Sequence, residues 1–557
     1  MDMLFKQLSS LYKIRLTDRI ERCRELSSAE VLRSERFSYQ IAFCGEGCFS
    51  VEVRSALKDC IRVYTVRNAV MDMPAYARTQ DNGYITKEPG LMPDILVPVE
   101  QSGGMVKVAG GMSCAIWIFV DVPEATAPGT YTIEVVFHAL DPRSGIPFQS
   151  FCKTLSLSVL DLVLPKPTLI YTQWIHLDCI AQAHHVPVFS EAHWALIARY
   201  IQAAADTGVN MLMLPLITPP LDTAQFTERP NVQLTNIAAD ENGYSFDFSK
   251  AERYVALAKR SGIRYFELPQ LFSQWGAEYT PNIWCRRNGA LEKIFGWHIN
   301  ADSERYRDFL SDFSGQICAF LRRAGIFENT FYHISDEPSL NELDRYRAAH
   351  EALAGMFDGL RHIEAVSDYA FYENGLIDIP VVSTNHIEPF LRKRPKTLWA
   401  YYCCAQHEKV SNRFLAMPSA RTRILGLQLY RHGVSGFLHW GFNYYNSSCS
   451  RYTINPYQTT SGDLTYPSGD AFSVYPSPDG AWPSLRAMVF YEGLQDFALC
   501  ELIEKMLGRA AAETLIDAAA NAHLAFDAYP EDPAFFEVFR ERALNLLKSG
   551  TPRQPKK

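Results

Sequence analysis

Thr330-Phe331-Tyr332-His333-Ile334-Ser335 is a short run of aromatic and β-branched residues that stops at Asp336-Glu337-Pro338. It follows a long helical pattern over 306–325, and such a run reads as a buried strand. Pro338 has no N–H and disfavours the helical region for Glu337, so the strand ends at the two carboxylates. Asp336 is also a candidate cap for the helical pattern that begins near Ser339. Outward from this stretch the same rhythm repeats. Strand-like runs at 169–176, 210–216, 263–268, 362–367, 381–385, 397–402 and 436–440 are interleaved with helical patterns at 190–205, 248–261, 306–325 and 342–356. Ser190 stands where the first of these helices needs a cap. Eight strands with helices between most of them predict a (β/α)8 TIM-like barrel over 164–483. Uneven loop lengths leave an open doubly wound sheet as the alternative.

The flanks read differently, so the chain is multidomain. Residues 1–36 form an expected N-terminal helical segment, with Leu4, Leu8 and Leu11 at helical spacing. Over 37–163, alternating runs such as Phe49-Ser50-Val51-Glu52-Val53 and Tyr131-Thr132-Ile133-Glu134-Val135 are broken by Gly, Pro and Asp. That pattern predicts an N-terminal β-sandwich. Leu164-Pro165-Lys166-Pro167 reads as a linker into the barrel. Residues 484–557 are expected to be a C-terminal helical segment that packs on the barrel.

Composition narrows the function classes. With 557 residues, 47% apolar and 21% charged, this is ordinary globular material with several cores. A formal charge of −8 without a basic run argues against nucleic-acid and anionic-membrane partners. The first residues carry no basic segment followed by an apolar core, so a cytoplasmic protein without a signal peptide is expected. The thirteen cysteines are scattered, without paired zinc-type spacing, and no metal or cofactor is expected. No Gly-x-Ser-x-Gly elbow, Walker loop or dinucleotide fingerprint is present.

In a parallel barrel, chemistry sits where strands end at their C-terminal side. Those ends are occupied by Trp174, His176 and Asp178, then Ser273-Gln274-Trp275-Gly276, then Asp336 and Glu337. Asp368 and Tyr369, Asn385 and His386, Tyr401 and Tyr402, and His439-Trp440-Gly441-Phe442-Asn443-Tyr444 follow. A sugar ring offers apolar faces and a rim of hydroxyls and suits this mixture of aromatics, amides and carboxylates. Paired carboxylates are the equipment of general-acid chemistry on glycosides. The candidate catalytic residues are therefore Glu337 and Asp336. The candidate substrate-binding residues are His176, Asp178, Gln274, Trp275, Tyr369, Asn385, Tyr402, Trp440, Asn443 and Tyr444. Trp275 and Trp440 read equally well as packing residues, and His386 reads as a core histidine.

Three segments also carry a resemblance. Phe272-Ser273-Gln274-Trp275-Gly276-Ala277, His333-Ile334-Ser335-Asp336-Glu337-Pro338 and His439-Trp440-Gly441-Phe442-Asn443-Tyr444-Tyr445 resemble the catalytic domain of glycoside hydrolase family 123, also known as domain of unknown function 4091. Pro467-Ser468-Gly469-Asp470, Ser484-Leu485-Arg486 and Gln495-Asp496 resemble its closing segment. The resemblance implies a retaining β-N-acetylgalactosaminidase in which the sugar's 2-acetamido oxygen is the nucleophile. It maps the general acid and base onto Glu337 and the acetamide-orienting carboxylate onto Asp336. Two other readings stand beside it. One is an exo-glycosidase of different specificity with a protein nucleophile such as Asp178, Glu267 or Asp368. The other is a non-catalytic glycan-binding protein.

Overall fold

The computed structural model describes residues 3–550. Eight parallel strands close into a barrel: Ile170–Gln173, Met211–Met213, Tyr265–Glu267, Thr330–Tyr332, Arg361–Val366, Ile379–Ser383, Trp399–Tyr401 and Gly436–His439. The ring shuts where Gly436 through His439 pair with Ile170 through Gln173. The closure rules out the open doubly wound alternative. Each strand falls inside the run of sequence predicted for it or within two residues of it, because a strand apolar on both faces leaves a compact hydrophobic signal.

Helices Glu191–Asp206, Ser249–Arg260, Glu304–Arg323 and Leu343–Ala352 surround the barrel. Ser190 caps the first of them, accepting from the His193 N–H. One element escaped the sequence reading. The long connections after the second and third strands contribute Asn236–Asp240, Gly243–Asp247, Ile283–Arg287 and Ala290–Phe295 to a small four-stranded sheet. These strands are five or six residues long and half exposed, so their hydrophobic signal is weak.

The helical segment predicted over 1–36 is not helical. Leu4–Ser9 and Ser28–Arg33 are strands, with one 3-10 turn at Ile20–Arg22 between them. Leu4 through Ser9 pair antiparallel with Tyr39 through Cys44, and Phe5 enters an aromatic cluster with Phe43, Phe137 and Phe151. Sheet pairing and burial at these positions override the helical spacing of the leucines. Residues 1–2 of that segment, and 551–557 of the C-terminal one, lie outside the described residues.

The region predicted as a sandwich supplies six strands of one continuous eight-stranded sheet, completed by Leu4–Ser9 and Ser28–Arg33. Its long strand Arg36–Arg54 changes partner along its length. On one side Arg36 to Ser50 pair with Met105 to Asp121, and on the other Tyr39 to Cys44 pair with Leu4 to Ser9 before Phe49 to Arg54 pair with Glu134 to Ala139. The register shifts between Gly45 and Gly47, and the sheet folds back so that Phe5 on one half meets Phe137 and Phe151 on the other.

Helix Leu485–Leu507 lies against the barrel wall, where Phe490 stacks on Tyr171 and Phe437. Arg486, in its first turn, pairs with Asp94 of the N-terminal sheet, and both side chains are fully buried. Arg509–Ala520 and Ala534–Gly550 complete the helical end. Among the described residues, no helix is long and apolar enough to cross a membrane.

Candidate active site

Asp336 and Glu337 emerge past the end of the fourth strand, both half-buried. Glu337 has φ +45°, a left-handed conformation that a non-glycine residue holds only when its surroundings demand it. Regular strand alternation would send adjacent side chains apart. The left-handed residue breaks the alternation. Ser339, not Asp336, caps the following turn, in a capping box with Glu342.

The platform beneath the pair is built from buried polar groups. Glu364 on the fifth strand accepts from the Ile334 and Ser335 N–H groups at 3.1 and 2.9 Å and from the Tyr346 hydroxyl at 2.8 Å. His333 lies between Glu267 at 2.8 Å and Glu364 at 3.7 Å. Burial alone would lower the His333 pKa, but the flanking carboxylates outweigh it and bring it up to about 9. Burial alone would raise Glu364, and its histidine neighbours hold it down at about 2. His333 thus sits between two carboxylates that favour its protonated form, beneath Asp336 and Glu337.

Above this platform, burial raises the carboxyls of both Asp336 and Glu337. Glu337 and Asp222 push Asp336 further up. The Tyr401 hydroxyl donates to Glu337 Oε1 at 2.5 Å and opposes the rise there. The Asp336 carboxylate makes no hydrogen bond to any described residue.

The other sequence candidates divide into three groups. Trp275 is 47% exposed, in a turn of successive left-handed residues, Trp275, Gly276 and Ala277, and its N–H donates to the Asp336 carbonyl at 3.0 Å. It is presented beside the pair and is not a packing residue. Trp440 is 9% exposed and donates from Nε1 to Asp470 at 3.0 Å, with Tyr444 and Tyr466 edge-on to its ring. Burial pushes the Asp470 carboxyl up to about 7.

A second group is engaged internally. His176 donates from Nε2 to the Trp440 carbonyl and accepts from Arg229 at Nδ1. Burial and the Arg229 charge push its pKa down to about 3, so it is a neutral core histidine. Both Asp178 oxygens accept from Arg229, at 2.9 and 2.7 Å, and this charge outweighs burial to hold Asp178 below the usual carboxylate range. Asn443 is locked to the His176 backbone through both of its amide atoms. Gln274 Oε1 accepts from the Asp222 N–H, and Asn385 Oδ1 accepts from Gln406. The Tyr444 hydroxyl donates to the Ser447 carbonyl at 2.8 Å.

The third group faces elsewhere. Tyr369 packs edge-on against Phe390 of the next helix. Tyr402 is buried against Phe437 and His439, and its neighbour Tyr401 is the tyrosine that reaches Glu337. His386, read as a core histidine, is exposed and bonded to Ser383.

Four contributors were not chosen from sequence: Tyr401, Arg229, Asp222 and Tyr76. Tyr401 ends a recognised strand, so its position was the available signal. Arg229 and Asp222 sit in an irregular loop without periodicity. Tyr76 comes from the connection between strands Ile61–Met71 and Gly90–Pro98 of the N-terminal sheet, packs edge-on against His407, and is pushed up by burial and by Cys404 just past the seventh strand. A separate cleft lined by Glu35, Arg36, Arg423, Glu492 and Arg540 lies on the seam between the N-terminal sheet and the C-terminal helices and includes none of the mouth residues. Its charges are largely paired, Arg423 with Glu492 and Arg540 with Glu35.

Comparison with known proteins agrees with this geometry. The family model of the glycoside hydrolase 123 catalytic domain matches residues 174–503. The fold is similar to that of a family 123 glycoside hydrolase from Clostridium perfringens, whose structural analysis concerns glycolipid glycan hydrolysis. The TM-score is 0.71 and the identity 15%, over 99% of this chain and 98% of that one. A family 5 glycoside hydrolase from Bacteroides vulgatus is less similar, with a TM-score of 0.32 and 10% identity over 66% of this chain and 69% of that one. No curated protein matches the chain.

Proposed function

Because the chain belongs to glycoside hydrolase family 123, we propose that this glycosidase removes a terminal β-linked N-acetylhexosamine, with N-acetylgalactosamine favoured, by substrate-assisted catalysis. The sugar's acetamide oxygen attacks the anomeric carbon as the bond to the leaving oxygen breaks. Glu337 gives its proton to that oxygen. The resulting bicyclic oxazolinium carries positive charge on nitrogen, which the Asp336 carboxylate balances. Glu337 then takes a proton from water, whose oxygen attacks the anomeric carbon and reopens the ring with retained configuration.

The observation that supports this most is the left-handed backbone at Glu337, which lets neighbouring residues serve one pocket. A protein nucleophile would belong across the sugar from the acid, about 5 Å from it. The carboxylates named for that role are engaged elsewhere: Asp178 by Arg229, Glu267 by Thr172 and His333, and Asp368 by the Ala370 N–H. Protonation also fits. Burial raises both carboxyls of the pair, the direction a proton donor needs. A substrate N–H donated to Asp336 favours its charged form and leaves the proton on Glu337.

Parallel assays on matched 2-acetamido and 2-hydroxy aryl glycosides test the reading. Turnover is expected only with the acetamide, and Asp336→Asn should abolish most of it, since a neutral amide cannot balance the charge on nitrogen. Equal rates on both sugars, or a fluorosugar trapped on a carboxylate, would falsify the mechanism.

A further inference from the structure

The amides expected to read sugar hydroxyls are already occupied. The carbonyl oxygens of Gln274, Asn385 and Asn443 accept from Asp222, Gln406 and His176 respectively. A sugar rim presents hydroxyl donors, for which an unpartnered carboxylate is a strong acceptor. The loop after the second strand supplies one. Asp222 has φ +45° and is held by its backbone from two directions. Its N–H donates to Gln274, next to the turn that carries Trp275 and bonds Asp336. Its carbonyl accepts from the Ser450 hydroxyl at 2.6 Å and lies 3.4 Å from the Tyr444 hydroxyl, both beyond the eighth strand. The preceding Leu221 carbonyl accepts from Arg229 at 3.1 Å and from Thr223 at 2.8 Å.

The side chain is treated in the opposite way. Neither Asp222 carboxylate oxygen hydrogen-bonds a described residue, and the side chain is half-exposed. It lies within electrostatic reach of Glu337, Asp336 and Asp470. Burial, with Glu337, pushes it up to about 6 against the pull of Arg229. A rigid backbone carrying an unpartnered carboxylate at the mouth calls for a ligand with hydroxyl donors. A cation does not meet the need, because among the described residues no group of His, Cys, Asp and Glu is arranged to hold a metal ion.

We propose that Asp222 is a substrate-binding carboxylate that accepts hydrogen bonds from ring hydroxyls of the sugar seated against Asp336 and Glu337, and so sets which hydroxyls the enzyme requires. This rests on the glycosidase reading and adds a specificity-determining residue to it.

The test compares an aryl glycoside with its 3-, 4- and 6-deoxy analogues, in whichever sugar series the wild-type enzyme hydrolyses. Failure of the acetamide mechanism then shows in the choice of parent substrate, and failure of the Asp222 assignment in the deoxy comparison. Asp222→Gly and Asp222→Asn are the variants to use, because both residues tolerate the left-handed backbone at this position. The wild type is expected to lose about 100-fold in kcat/KM on at least one deoxy analogue, the scale of a hydrogen bond to a charged partner. Asp222→Gly should lose a similar factor on the parent and discriminate no further against that analogue. Asp222→Asn, which keeps an acceptor oxygen, should fall between. The proposal is overturned if Asp222→Gly keeps the wild-type kcat/KM, if both variants keep the full discrimination, or if a 2-fluoro sugar labels Asp222 as a nucleophile.

Discussion

The Tyr401 hydroxyl and Glu337 illustrate how one residue tunes the proposed acid. Donation to a carboxylate oxygen favours the charged form, so Tyr401 holds the Glu337 pKa below the value burial alone would set. The basic limb of kcat/KM against pH reports loss of the acid's proton. Tyr401→Phe removes the donor, so Glu337 should keep its proton to higher pH and the basic limb should move upward. The non-ionisable variant Glu337→Gln should have no such limb, and on an activated aryl leaving group, which needs little protonation, it should retain more activity than on an alkyl one. A basic limb unmoved in Tyr401→Phe would mean that another group governs it.

Three neighbouring strands share the polar platform under Asp336 and Glu337. Glu267 on the third, His333 just past the end of the fourth and Glu364 on the fifth hold a buried positive charge between two negative ones. The sign of its contribution follows from linkage. The His333 pKa lies at about 9 in the folded chain against 6.5 for an ordinary histidine. The stabilisation is therefore complete below pH 6.5 and is lost as pH rises through 9. His333→Gln should be destabilised most below pH 6.5, and its gap to the wild type in urea midpoint should narrow toward pH 9. Removing one member of such a buried set typically costs about 3–5 kcal/mol. A gap independent of pH would mean that His333 is neutral in the folded barrel.

On the scale of the whole molecule, the N-terminal sheet does more than shield the barrel. A segment from it reaches the loops of the mouth. Asp72 accepts from Thr459, Ser461 and Ser468 hydroxyls at 2.5, 2.7 and 3.1 Å. The Tyr84 hydroxyl donates to the His407 carbonyl at 2.7 Å, and the Ile85 N–H to Ala416 at 2.7 Å. Asp94 balances Arg486, which also donates to the carbonyls of Gly469 and Phe472 on either side of Asp470. A chain beginning at Leu164 would leave Arg486 buried without its partner, at a cost of about 3–5 kcal/mol. Such a chain is expected to lose cooperative unfolding and most of its kcat/KM together. If it stays soluble with an unchanged pH–rate profile, the sheet contributes nothing to the mouth.

The sequence by itself determined the eight barrel strands and the carboxylate pair. Runs apolar on both faces are compact and flanked by clear breaks, and Asp336 and Glu337 follow the fourth such run, although the strand itself ends at Tyr332, before the point Pro338 marks. Tertiary structure alone decided three further things. Leu4–Ser9 became a strand because it pairs with Tyr39 through Cys44. The carbonyl oxygens of Gln274, Asn385 and Asn443 were taken up by partners between 21 and 267 residues distant. Asp222 was carried to the mouth by an irregular loop whose anchors, Gln274 and Ser450, lie 52 and 228 residues along the chain. Hydrogen bonds of that separation leave no periodicity in the local sequence, and only the closed barrel brings their partners together.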